Sequence, residues 1–77
     1  MNKMRRVTGK EMVRFLERQC FALRRSVGSH HVMRKGDRPQ TVVPVHGNSN
    51  LKPGTLRGIL RDINLKPEEF EKLWQDA

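Results

Sequence analysis

The chain is short and strongly basic, and both properties limit what it can be. It has 77 residues, of which 35% are hydrophobic, so it can form one domain with one modest core, and a large metabolic enzyme is excluded. Its formal charge of +8, from 16 lysines and arginines against 8 aspartates and glutamates, predicts RNA, DNA or an acidic protein as partner rather than a small-molecule substrate.

The first part of the chain predicts a helix followed by a strand. Thr8 and Glu11 have the spacing of a capping box, in which each side chain accepts a hydrogen bond from the other residue's backbone N–H. Apolar residues follow at helical spacing, so we expect a helix over residues 9–19. Residues 21–26 alternate briefly between apolar and polar side chains and end before Gly28, which predicts a short half-buried strand.

Two further strands are expected next. Residues 30–35 predict the second strand, and residues 36–39 (GDRP) have the composition of a turn. Residues 40–45 are the most β-branched stretch of the chain and predict the third strand. Pro44 within it indicates a sheet edge or a strand end, because proline cannot donate a ladder hydrogen bond.

The remaining sequence predicts two helices. Pro53 suits the first turn of a helix, since it has no N–H to leave unpaired. The apolar residues that follow repeat at helical spacing: Leu56, Ile59, Leu60 and Ile63. Pro67 begins a short last helix with two glutamates in its first turn, where carboxylates suit the helix dipole. The expected buried stripe of this helix is Phe70, Leu73 and Trp74, packed against the second helix. The alternative for Trp74 is an exposed position that anchors a partner or a second copy of the chain.

The predicted fold class is α+β, with a three-stranded antiparallel sheet and a short extra C-terminal helix. An antiparallel sheet of this size must bury one face, and two amphipathic helices lying across that face would bury it. The other face is then free to bind a partner. This α-β-β-β-α order is the order of a double-stranded-RNA-binding domain.

Charge, cysteine content and hydropathy indicate where the chain acts and which part binds. Residues 1–61 carry 14 basic against 3 acidic side chains, a balance of +11, and residues 62–77 carry 2 against 5, a balance of −3. We therefore expect the polyanion to contact the first part.

The single cysteine, Cys20, permits no internal disulfide, and no apolar run suggests a membrane span or a secretory signal. A cytoplasmic protein without membrane contact is expected.

Four short segments stand in a characteristic order and spacing. They are residues 8–11 (TGKE), 28–31 (GSHH), 42–47 (VVPVHG) and 51–61 (LKPGTLRGILR). Together they resemble the HicA toxins, also called the YcfA-like family, over almost the whole chain.

This resemblance implies a fold, an activity and a partner. The fold is that of a double-stranded-RNA-binding domain, here one domain over residues 1–77 with its core at 7–63 and a helical extension at 64–77. The activity is that of an mRNA interferase in a two-component toxin–antitoxin system with a HicB antitoxin. The catalytic histidine of the family lies in the Gly-Ser-His element, which corresponds to His30, and His31 directly after it is the alternative. No cofactor or metal is implied.

The residue types present suit RNA cleavage without a metal. Such cleavage removes the proton from a ribose 2′-hydroxyl, which attacks the adjacent phosphate, and then protonates the departing 5′ oxygen. Imidazole titrates near neutral pH and can perform either transfer. Cationic side chains and backbone N–H groups offset the extra negative charge of the transition state. The residues predicted to bind the RNA are Gly28, Ser29, Arg34, Lys35, Lys52, Thr55 and Arg57.

Several of these residues have a second interpretation. Adjacent strand residues point to opposite faces, so only one of His30 and His31 can face the RNA. His46 is either a second proton-transfer group or a loop residue that contacts phosphate or the antitoxin, and we favour the loop role. The segment around Lys52 either simply starts a helix or also binds a phosphate. A zinc site built from Cys20 and the histidines lacks the usual paired spacing.

Three classes of function remain. The first is the ribonuclease, and the second is a non-catalytic binding module for double-stranded RNA. The Gly-Ser-His-His turn beside a basic strand favours the ribonuclease, because binding alone does not need imidazole. The third is binding to an acidic protein, which is compatible with the first, since an antitoxin covering the catalytic histidine would also use the positive charge.

Overall fold

A computed structural model describes the backbone of residues 5–76 and the side chains of residues 5–74, so residues 1–4 and 77 of the expected domain lie outside it. The elements in chain order are α1 (Gly9–Arg18), β1 (Ala22–Val27), β2 (His30–Arg34), β3 (Thr41–Pro44), α2 (Pro53–Asp62) and α3 (Pro67–Asp76). The predicted α+β fold, with a double-stranded-RNA-binding-like order and an extra C-terminal helix, is confirmed. Among the described residues, no helix has the length and apolar character needed to cross a membrane.

The start of α1 confirms the predicted capping box. The hydroxyl of Thr8 accepts a hydrogen bond from the backbone N–H of Glu11 at 3.1 Å. In return, the backbone N–H of Thr8 donates to the Glu11 carboxylate at 2.8 Å. Two N–H groups that a helix start would otherwise leave unpaired are thereby satisfied.

Replacing Thr8 with alanine is expected to lower the free energy of unfolding by about 1 kcal/mol, because the cap is lost while Glu11 stays in place. Thr8→Ser keeps the hydroxyl and should stay within a few tenths of a kcal/mol of the wild type. Urea unfolding followed by circular dichroism measures both. An equal loss of unfolding free energy in Thr8→Ala and Thr8→Ser would contradict a role for the hydroxyl.

The sheet is antiparallel, with β2 between β1 and β3. Met33 lies opposite Thr41, and His31 lies opposite Val43, so these four residues share one face. Met33, Thr41 and Val43 are almost completely buried. Thr41 also donates its hydroxyl proton to the Asp62 carboxylate at 2.9 Å, which ties the start of β3 to the end of α2. This is the face that the helices cover.

The core lies between that face and the helices. Its buried members are Val7, Met12, Phe15, Leu16, Phe21, Met33, Val43, Leu51, Leu56, Ile59, Leu60 and Phe70. They come from all three helices, from β2 and β3, and from connecting segments, and burying apolar surface of this kind is the main contribution to stability in a small domain. Every residue of β1 is exposed, so the prediction that this strand is half-buried is wrong: its apolar neighbour Phe21 enters the core just before the strand begins. Val32, which neighbours Met33 in β2, is not a member of this cluster, as expected for a residue on the opposite face of the sheet.

Helix α3 contacts α2, as the sequence indicated, and its aromatic side chains also pack on α1. Phe70 meets the ring of Phe15 edge-on, with 5.0 Å between centroids, and Trp74 lies 5.7 Å from the same ring. The guanidinium of Arg5 lies 5.2 Å from the centre of the Trp74 ring and forms an ion pair with Glu71. This carboxylate raises the pKa of Arg5 above its ordinary value. Trp74 is therefore half-buried between α1 and the chain before it.

Candidate active site

The turn between β1 and β2 brings together three of the predicted site residues. Val27 lies opposite His30, so Gly28 and Ser29 form a two-residue hairpin turn. Gly28 has a φ of 57°, in the left-handed region that glycine adopts without strain. Glycine is therefore required here by the turn itself, and the turn places His30 at the first position of β2.

The two adjacent histidines have different environments. His30 is exposed and lies on the face of the sheet opposite to the helices. His31 is half-buried on the helix-facing side, and its Nδ1 is 3.3 Å from the carbonyl oxygen of Ser29. With its proton on Nδ1, His31 donates a hydrogen bond that fixes the turn. Only His30 presents its imidazole to the open face.

His46 is also brought to this turn, which the sequence did not indicate. Its Nε2 lies 3.4 Å from the hydroxyl of Ser29, and the backbone N–H of Val45 donates to the Ser29 carbonyl at 2.7 Å. The contact follows from the strand register, in which His30 lies opposite Pro44. The chain leaving β3 therefore passes directly beside the turn, and a second imidazole lies at the candidate site.

A cavity of about 350 Å³ adjoins His46. Its lining residues are Pro44, His46, Ser49, Asn50, Leu51, Lys52 and Thr55. Lys52 is the N-cap of α2, and no side chain caps this helix. The first backbone N–H groups of α2, those of Gly54 and Thr55, therefore have no capping side chain, and Thr55 lines the cavity together with Lys52. His46 connects this cavity to the Gly28–Ser29 turn.

The remaining predicted RNA-binding residues lie farther away. Arg34 ends β2 on the same face as His30, and its Nε donates to the carbonyl oxygen of Arg38 at 3.2 Å. Lys35 follows it and lines a different cavity of about 400 Å³ at the other end of the sheet. Arg57 is exposed on α2. The structure thus groups the turn, His30 and the Lys52 cavity, and leaves these three side chains outside the group.

No cluster of three or more histidine, cysteine, aspartate or glutamate residues that could hold a metal ion occurs within the described part of the chain. Cys20 is exposed at the end of α1, where its backbone has a φ of 71°.

These observations define a small, basic α+β domain that carries a histidine on the open face of its sheet. The family model described as the HicA toxin of bacterial toxin–antitoxin systems matches residues 9–65 of the 77, from the start of α1 to the segment before α3. The chain therefore belongs to the HicA toxin family, as its sequence resemblance indicated. It is accordingly a toxin of a toxin–antitoxin system, a system that supplies an antitoxin as its partner. No curated protein matches it.

Proposed function

We propose that this toxin is a metal-independent endoribonuclease that cleaves mRNA in the cytoplasm, with His30 as its catalytic residue and a HicB-type antitoxin as its inhibitor. The observation that carries the proposal is the position of His30. It is exposed at the hairpin turn, on a sheet face whose strands contain no aspartate or glutamate. A phosphodiester can approach this imidazole without repulsion from a carboxylate on the sheet.

The reaction proposed for this site is an internal transesterification. The 2′ oxygen forms a bond to phosphorus, and the bond from phosphorus to the 5′ oxygen breaks, giving a 2′,3′-cyclic phosphate and a 5′-hydroxyl. His30 carries one of the two proton transfers, a water molecule carries the other, and no redox partner is needed. His31 and His46 act as positioning residues, since both contact Ser29, through its carbonyl and its hydroxyl respectively.

The proposed RNA contacts extend from the turn in two directions. Gly28 and Ser29 offer backbone next to His30, and Lys52 and Thr55 bind a neighbouring phosphate in the cavity beside His46. Phosphates farther along the RNA contact Arg34, Lys35 and Arg57. Lys35 is five residues beyond His30, which corresponds to about 16 Å along β2, a distance that a few nucleotides span.

The antitoxin is proposed to inhibit by covering His30. The net charge of +8 favours a partner with an acidic surface, and a protein over the open face would exclude RNA from the imidazole. Inhibition by occlusion requires no change of conformation in the toxin.

The wild-type protein is expected to cleave single-stranded RNA in EDTA as fast as in its absence. The measurement is gel analysis of a labelled RNA, with the product ends identified by their response to phosphatase and kinase. The expected ends are a 2′,3′-cyclic phosphate and a 5′-hydroxyl, because the 2′ oxygen is the nucleophile. Products with 3′-hydroxyl and 5′-phosphate ends would contradict the mechanism. Binding of RNA without cleavage would replace it by a non-catalytic RNA-binding module.

A further inference from the structure

The open face of the sheet carries an apolar patch next to His30. Residues that lie opposite one another on the three strands form a row across the sheet. In the first row, nearest the turn between β1 and β2, Val27 and Pro44 lie on either side of His30. In the second row, Val42 lies beside Val32, which is itself buried between its neighbours. We call these five residues the platform.

The exposure of the platform is unusual within this molecule. Val27 is 61% exposed and Val42 is 39% exposed, although both are β-branched hydrophobic residues. Among the described residues, the other exposed large hydrophobic side chain is Leu23, at 47%. Leu23 lies opposite Met33 and therefore on the other face of the sheet. The two exposed valines are thus concentrated around the imidazole that the proposed reaction uses.

The edges of the platform are cationic. Arg25 lies opposite Val32 in the second row, and Arg34 ends the central strand on the same face. A ligand that fits has an apolar surface for the centre and negative charge for the edges. An unpaired nucleotide has both, because its base offers a flat apolar face and its phosphates are anionic. A duplex has its base faces stacked inside and presents only its backbone and groove edges.

We propose that the platform binds an unpaired base that flanks the scissile phosphate, with Val27 and Val42 as the contacts that select single-stranded over duplex RNA. This inference rests on the proposed ribonuclease function, because it places the cut at His30. Binding of the base positions the phosphate but does not take part in proton transfer. The valines therefore affect the KM more than the kcat.

The test compares Val27→Ser/Val42→Ser with Leu23→Ser, a matched change at an exposed residue on the opposite face. The substrates are a single-stranded RNA with one mapped cut and the same RNA annealed to its complement. We expect the double variant to raise the KM for the single strand about tenfold, with the kcat within about twofold and the duplex unaffected. Leu23→Ser should stay within about twofold of the wild type. Thermal unfolding checks that all variants are folded.

A second measurement identifies the ligand as a base. Abasic ribonucleotides, which keep the 2′-hydroxyl, replace in turn the nucleotide on each side of the cut. At one of the two positions the wild type should lose about as much affinity as the double variant does. That loss should nearly vanish in the double variant, since the contact is already gone.

Binding measured by fluorescence anisotropy, with a 2′-deoxynucleotide at the cut, separates the two proposals. If the wild type cleaves no RNA, the abasic nucleotide is placed at each position of a short RNA in turn. Valine and abasic effects on binding that remain in this series refute the ribonuclease and leave the platform as a base-binding site. If the abasic substitution and the double valine variant each lower the affinity for RNA and their effects simply add, the platform is overturned. A double variant whose affinity for RNA is unchanged would overturn it as well. An unchanged affinity for RNA together with weaker binding to a purified HicB-type antitoxin would show that this face is a protein interface instead.

Discussion

Replacing His30 with alanine is expected to lower the rate of RNA cleavage about a thousandfold while the affinity for RNA stays within about threefold. The imidazole is exposed and has no structural partner among the described hydrogen bonds, so its removal should leave the fold intact. The loss therefore comes from the missing proton transfer. Single-turnover cleavage of a labelled RNA gives the rate, and anisotropy gives the affinity.

The matched control is His31→Ala, one residue along the same strand. His31 contacts the carbonyl of Ser29 from the helix-facing side, so its loss should loosen the turn and reduce cleavage about tenfold, with some loss of stability. If the His31 variant is inactive and the His30 variant cuts normally, the catalytic residue is His31. Growth of cells expressing each variant without antitoxin provides an independent measure, and only His30→Ala should be fully harmless.

The order and limits of the elements could be predicted because their signals are local. The capping box at Thr8, Pro53 at the start of α2 and Pro67 at the start of α3 each act within one helical turn. Where both ends of an element were predicted, the observed ends differ by at most one residue. Trp74 shows the limit of this approach, because its partners Phe15 and Arg5 lie far from it in the sequence.

The candidate site depends on register, which the sequence does not specify. Alternation predicts that His30 and His31 face opposite ways, but the outward-facing one depends on which face the helices cover. A bulge between Leu23 and Arg25 shifts the alternation in β1, so the exposed position of Val27 could not be read from the pattern. The approach of His46 to the turn likewise requires β3 to pair with β2 in one particular register.

The structure also reverses a simple expectation about Gly9. Glycine is a poor helix former, so Gly9→Ala at the start of α1 would be expected from sequence to stabilise the protein. In the structure, a Cβ on Gly9 would lie 2.3 Å from the carbonyl oxygen of Pro44 and 2.9 Å from the Cα of Val45. Both are backbone atoms, so no side-chain rotation can relieve the contact.

Gly9→Ala is therefore expected to lower the free energy of unfolding by about 3 kcal/mol, which corresponds to a fall in Tm of about 12–24 °C. Helix α1 would be forced away from the end of β3, and the chain that carries His46 to the turn would move with it. Cleavage measured well below the Tm should decrease as well, because Ser29 would lose a contact that fixes it.

Gly58→Ala is the matched control in α2. A Cβ there meets no atom within 4 Å, so the change should raise the free energy of unfolding by about 0.5–1 kcal/mol through helix propensity alone. Differential scanning calorimetry measures the Tm of both variants. If α1 packs closely on β3, the Tm falls in Gly9→Ala and rises in Gly58→Ala. A Gly9→Ala variant as stable as Gly58→Ala would mean that α1 does not contact the backbone at the end of β3, and that the expected displacement of His46 is wrong.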